Sequence, residues 1–227
     1  MPLDEAILGS GVYSPREAAR LVGTNAQEVM RWTRGSGPTD PLWNAHYQFL
    51  DDATELSFLD LVEVRVVKAL RKSGVSLQAI RFALDLAENR FGLSRPLATR
   101  SFKLLGGDIL MNAIENDGEL ISLSRRNPGQ KVFSEIVKQS LSDIEYENSY
   151  AVRWRPSFAN HVVIDPKRAF GAPLIDDFGI STRAIFKDFI QFGDARYLSK
   201  IYELPLRFIN DAVNFERRLD AAQEMNG

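Results

Sequence analysis

Cysteine is absent from the 227 residues, which excludes disulfides, thiolate metal centres and thiol nucleophiles and fits a reducing compartment. Histidine is nearly absent: His46 and His161 stand far apart in the chain, and neither belongs to a cluster with ligand spacing. No stretch approaches the roughly 18 apolar residues of a membrane-spanning helix, and the start, MPLDEAILGSG, carries acids where a signal peptide carries bases. A cytoplasmic protein that does not span a membrane is expected. Net charge is also nearly absent, at -2, but the sum hides a strong segregation. Residues 61–103 hold nine Lys or Arg against three acids, whereas residues 41–60 hold four acids and no Lys or Arg. A basic segment of this kind can face phosphate, although it equally describes a solvated helix surface.

Enzymatic signals are missing as well. Gly9-Ser10-Gly11 and Gly35-Ser36-Gly37 lack the strand, helix and lysine of a phosphate loop. The acid pairs Asp51-Asp52 and Asp176-Asp177 project in divergent directions on any regular backbone and read as solvated turns. No catalytic residue, metal site or cofactor is expected, and the chain reads as a non-enzyme.

What is present is helical punctuation. In YSPREAARLVGTNAQEVMRWTR, Ser14 can cap a helix with Pro15 at its first position and Glu17 closing a capping box, and Gly23 ends it. Thr24 or Asn25 caps the next helix. Two short helices joined by a glycine turn define a helix-turn-helix, although a plain helical hairpin with a polar outer face has the same pattern. Val29 and Trp32 should face inward, leaving Gln27, Glu28, Arg31 and Arg34 outside; Gln can read adenine, and Arg guanine or phosphate. A second helix pair follows over residues 56–92. Ser57 and Asp60 form its box, Phe58, Leu61, Val62, Val66, Ala69 and Leu70 its stripe, Gly74 a stop and Ser76 the next cap.

This order, with the pattern ALRKSGVSLQAIR in the second pair, resembles the MerR-type winged helix-turn-helix over about residues 12–92. The resemblance implies that Ala26 to Thr33 is the recognition helix. It implies that residues 35–55, with Trp43, His46 and Tyr47, form the wing, and that Arg65 to Arg81 lies near the DNA backbone. Candidate DNA contacts are Ser14, Arg16, Asn25, Gln27, Arg31, Arg34 and Tyr47. Met30 stands where the family commonly has an arginine, and the wing is longer and more acidic than usual. The load on DNA therefore falls on Gln27, Arg31, Arg34 and the basic second pair.

Residues 97–155 read as strands. Phe102-Lys103-Leu104 and Ile109-Leu110-Met111 flank Gly106-Gly107-Asp108, and Leu120 to Leu123 runs into the turn Arg126-Asn127-Pro128-Gly129. Ile144 and Tyr146 pair with Tyr150, Val152 and Trp154 across a turn at Glu147-Asn148-Ser149. Farther on, a short strand Val162-Val163-Ile164 precedes three helices. The first starts at Ser181 or Thr182, the second holds Tyr197 to Tyr202, and the third follows Pro205. Those helices suit either a second helix-turn-helix or a protein-binding module. The expected fold class is α+β: a MerR-like winged helix-turn-helix (1–95), a β-rich linking or dimerisation module (96–155) and a small three-helix domain (156–227).

Asp165-Pro166, Gly171-Ala172-Pro173, Ile180-Ser181-Thr182 and Tyr202 match a small domain that recurs in bacterial type II antitoxins. Asp177-Phe178-Gly179 departs from that domain's usual Gly-Thr-Arg, so no role of that arginine carries over. With the MerR-like first half, the chain resembles the VapB-like antitoxins that pair with PIN-fold ribonuclease toxins. The resemblance implies a homodimer that binds operator DNA, represses its own operon and neutralises a toxin, with the toxin contact outside the N-terminal domain. The alternatives are a ligand-responsive MerR-type regulator, whose middle module takes a small molecule, and a protein-interaction adaptor.

Overall fold

The computed structural model describes residues 9–50, 53–92, 95–116 and 129–225. The element order is α1 (Pro15–Val22), α2 (Ala26–Arg34), α3 (Phe58–Lys72), α4 (Leu77–Phe91), α5 (Arg100–Asn116), α6 (Gly129–Ser140), β1 (Ile144–Glu147), β2 (Tyr150–Trp154), β3 (Val162–Ile164), β4 (Pro173–Ile175), β5 (Ile180–Ser181), α7 (Thr182–Phe192), α8 (Ala195–Ile201) and α9 (Leu206–Glu224). The class is α+β, with an antiparallel sheet in the order β1-β2-β3-β4-β5.

The helix boundaries follow from local chemistry. Ser14 Oγ accepts from Glu17 N at 3.2 Å while the Glu17 carboxylate accepts from Ser14 N at 2.9 Å, so two otherwise orphaned amides are satisfied at the start of α1. Gly23 closes that helix at φ +74°, a left-handed conformation that costs glycine little. Asn25 Oδ1 accepts from Glu28 N at 2.9 Å to start α2. The box at α3 does more than cap. Besides receiving Ser57 N at 2.8 Å, the fully buried Asp60 accepts from Trp43 Nε1 at 2.9 Å and His46 N at 3.1 Å, and Arg95 closes on it as well.

The middle of the chain departs from the expected strands. Residues 100–116 form α5, not a hairpin about Gly106-Gly107-Asp108. Phe102, Gly106, Ile109 and Leu110 are buried at i, i+4, i+7 and i+8, a helical period. The glycines serve a helix crossing: a Cβ on Gly107 would lie 1.9 Å from Ser134 Oγ of α6. The strand expected at Leu120 to Leu123 and most of the turn that follows it lie outside the described residues, and Gly129 begins α6. The β1–β2 hairpin forms as its alternation predicts, with Ile144 opposite Trp154 and left-handed Asn148 and Ser149 at the turn.

The sheet runs on past residue 155, since Trp154 pairs with Ile164 and Val163 with Leu174. Helix α7 packs on β4 and β5, α9 on β3, and α3 on β2. One cluster of buried side chains extends from Tyr13 to Leu219. The Tyr13 hydroxyl donates to Gly171 O at 2.9 Å, and only glycine fits there, because a Cβ would stand 2.1 Å from that hydroxyl. Burial raises the Tyr13 pKa far above the usual phenol range, which keeps the group a donor. The first helices are also held to the last: Arg20 meets Glu216 at 2.7 Å and Asp220 at 2.6 Å.

Candidate nucleic-acid interface

Helix α2 divides by face. Val29 and Trp32 are buried, Thr33 is buried with its hydroxyl donating to Val29 O at 2.9 Å, and Gln27 and Arg31 are exposed one turn apart. Arg34 is half-buried, and its Nε and Nη2 find no hydrogen-bond partner among the described residues. Glu28 is withdrawn from the outer face by the Thr24 hydroxyl, which donates to its carboxylate. A groove of about 360 Å³ runs beside Arg31, walled by Ser36, Thr39, Leu77, Gln78 and Arg81.

The remaining candidates divide into positioning residues, open cations and one buried ring. Ser14 and Asn25 spend their side-chain oxygens on caps and fix the angle between α1 and α2. Arg16 is exposed at the start of α1. Tyr47 is 2 % exposed, and its hydroxyl donates to Gly11 O at 2.5 Å. Burial and the nearby Asp60 carboxylate push its pKa up to about 12. A ring filling the space beneath its own loop cannot reach a duplex, so Tyr47 leaves the set of contacts.

The expected wing is a strapped loop. Ser36 bridges Thr39, and residues 47–50 turn without extended strands. Leu42 N donates to Trp32 O at 2.7 Å, Arg81 donates to the carbonyls of Asp40 and Pro41 at 2.7 Å each, and Arg95 reaches Asn44 O at 2.8 Å. The Trp43 ring is held down with it by its indole N–H to Asp60, and the His46 backbone amide donates to the same carboxylate.

Much of the basic excess over residues 61–103 is internal. Arg65 pairs with Asp143 at 2.7 Å and lies 4.4 Å over the Trp154 ring, which points it at the sheet. Arg95 is neutralised by Asp60 and lies 3.4 Å from Glu63. Lys68, Arg71 and Arg81 donate to carbonyls and keep their full charge. Sequence reasoning missed Gln78 as a groove residue and Arg81 as a loop brace; the available signal was their i, i+3 spacing directly after the Ser76 cap.

Other chemistry is sparse. Among the described residues no group of three or more His, Cys, Asp or Glu is placed to hold a metal ion, and no helix is long and apolar enough to cross a membrane. His161 Nδ1 lies 2.6 Å from Asp211. Glu63 is fully buried, and desolvation pushes its pKa up to about 8 against the pull of Arg95.

No family model matches the chain. It is 31% identical over 188 residues to the Mycobacterium tuberculosis protein named "Putative antitoxin VapB45", covering 74% of this chain and 78% of the relative. Its fold is similar to the crystal structure of Rv2018 from Mycobacterium tuberculosis, with a TM-score of 0.71 and 26% identity over 88% of this chain and 96% of that one.

Proposed function

Because the chain belongs to the family of VapB-like antitoxins, we propose that it is the antitoxin of a type II toxin–antitoxin system whose partner is a PIN-fold ribonuclease toxin. Its first helices form a MerR-like DNA-reading module. As a homodimer it binds a two-fold operator in the cytoplasm, represses its own operon and holds the toxin inactive, without catalysing a reaction itself.

The observation that carries the DNA reading is the outer face of α2. Gln27 and Arg31 stand open on a helix whose inner face is locked by Val29 and Trp32, and the adjoining groove adds Gln78 and Arg81. A rigid helix bearing an amide and a guanidinium one turn apart has the donors and acceptors that base edges present in a major groove. Helices α7 to α9 and the sheet lie outside that module and supply the surface for the toxin.

Two experiments test the reading. Footprinting on the DNA upstream of its own operon should protect a palindrome whose affinity falls steeply with salt. Co-expression with the product of a neighbouring nuclease-like reading frame should yield one complex with suppressed ribonuclease activity. Absence of specific protection at low salt refutes the operator role, and separate elution with undiminished nuclease activity refutes the antitoxin role.

A further inference from the structure

A cavity of about 640 Å³ lies where α1, α2, the end of α3 and α9 meet. Neither Gln27 nor Arg31 lines it, so it is separate from the face assigned above to base edges. Among the described residues five cations reach its walls, Arg20, Lys68, Arg71, Lys72 and Arg218, against the single carboxylate of Glu28. Arg20 is cancelled by Glu216 and Asp220. The other four have no ion pair among the described residues.

Their existing partners leave the charge intact. Lys68 Nζ donates to Val22 O at 3.1 Å and Arg71 Nη1 to Val75 O at 2.8 Å, and a carbonyl satisfies a hydrogen without neutralising the ion. Arg218 rests 4.2 Å over the Phe158 ring. Burial and the neighbouring Lys72 lower the Lys68 pKa, and the Glu28 carboxylate only partly offsets them. Helix α3 does gain from positive charge in its last turn. Arg71 and Lys72 both stand in that turn, but Lys68 reaches the end of α1 and Arg218 arrives from a different helix.

From this convergence we infer that the cavity is a phosphate-binding site, in which Lys68, Arg71, Lys72 and Arg218 surround one phosphate group. Two guanidinium forks and two ammonium groups offer the many donors that a tetrahedral dianion accepts, whereas a lone carboxylate would leave most of them unused. The apolar remainder of the wall, with Leu21, Phe158 and Leu219, suits an organic portion next to the phosphate, and the volume matches that of small-ligand pockets. A phosphate there comes either from a free nucleotide or from the backbone of bound DNA. In both cases it bridges the tandem helices and α9.

The test uses the full chain at low salt with adenosine monophosphate and a duplex oligonucleotide as probes, together with the double variant Lys72→Gln/Arg218→Gln. Both side chains are exposed, so the variant should keep its circular dichroism spectrum and melting temperature; Lys72→Arg/Arg218→Lys is the charge-preserving control. A free-nucleotide site gives a titratable heat and a raised melting temperature with the monophosphate, lost in the Gln variant and kept in the control. A backbone site gives no nucleotide binding, but duplex affinity falls about tenfold in the Gln variant and its salt slope drops by about two. If neither probe distinguishes the Gln variant from the parent, the inference is overturned. Failure of the operator reading would be seen separately, as loss of duplex binding in the parent itself.

Discussion

Arg20 and Glu216, separated by nearly the whole chain, meet at 2.7 Å, and Glu216 is 1 % exposed. Thr182 Oγ1 also donates to the Glu216 carboxylate at 2.5 Å, so one buried acid joins α1, α7 and α9. Removing one member of a buried pair leaves a charge without its counter-ion, typically at about 3–5 kcal/mol. Asp220 keeps part of the Arg20 charge compensated, so Glu216→Gln should fall near the lower end of that range. Urea unfolding measures it; a change below about 0.5 kcal/mol would mean the pair contributes no more than a surface contact.

The outer face of α2 makes a prediction with an internal control. Gln27→Ala and Arg31→Ala should each weaken operator binding by about 1–3 kcal/mol while leaving the melting temperature unchanged. Tyr47→Phe should do the reverse. It deletes a buried hydrogen bond, costs about 1 kcal/mol of stability and spares DNA affinity. Fluorescence anisotropy beside thermal melts separates the two classes, and a large DNA defect in Tyr47→Phe would return that ring to the interface.

Glu63 sets a pH dependence. Its folded pKa of about 8 lies above the ordinary 4.5, so the native state binds more protons than the unfolded chain between those values. The stabilising contribution is therefore full below about 4.5 and is lost as pH rises towards about 8. The groups facing it are Arg95 and Asp60. Glu63→Gln, neutral throughout, should flatten this limb of the stability curve by an amount on the order of a few kcal/mol. Unfolding free energies at pH 5, 6.5 and 8 check it, and parallel curves for parent and variant would refute it.

Gly107 distinguishes a helix crossing from a hairpin turn. In an isolated helix, Gly→Ala stabilises by about 1 kcal/mol. Here the added methyl meets the backbone of Ser134, with Cα at 2.7 Å, and α5 must move away from α6. Gly107→Ala should therefore destabilise by about 1–3 kcal/mol, a change of sign that chemical denaturation reads directly.

The legible parts of this fold were those specified by neighbours in the chain. Ser14 with Glu17, Ser57 with Asp60, Gly23 and Gly92 are contacts spanning three or four residues, so pattern alone located the ends of α1, α3 and α4. The hairpin at residues 144–154 was legible for the same reason. Helix α5 was misread because a glycine pair between apolar triplets resembles a turn, and what makes it helical is Ser134, which becomes its neighbour only after folding. The candidate site divided likewise. Gln27 and Arg31 were visible as the polar face of a short helix. The burial of Tyr47, the internal use of Arg65 and the Arg20–Glu216 contact depend on partners distant in the chain, to which periodicity is blind.

Asp60 gives the loop over Trp43 to His46 a mechanical property. The carboxylate that receives the loop is the same one that receives Ser57 N at the start of α3, so lifting the loop strips that buried group of two donors and weakens the helix start. Opening the loop over Trp43 to His46 and fraying the first turn of α3 are coupled through that carboxylate. The amides of His46 and Ser57 should then exchange their hydrogens with solvent at matched rates, like two latches on a single pin.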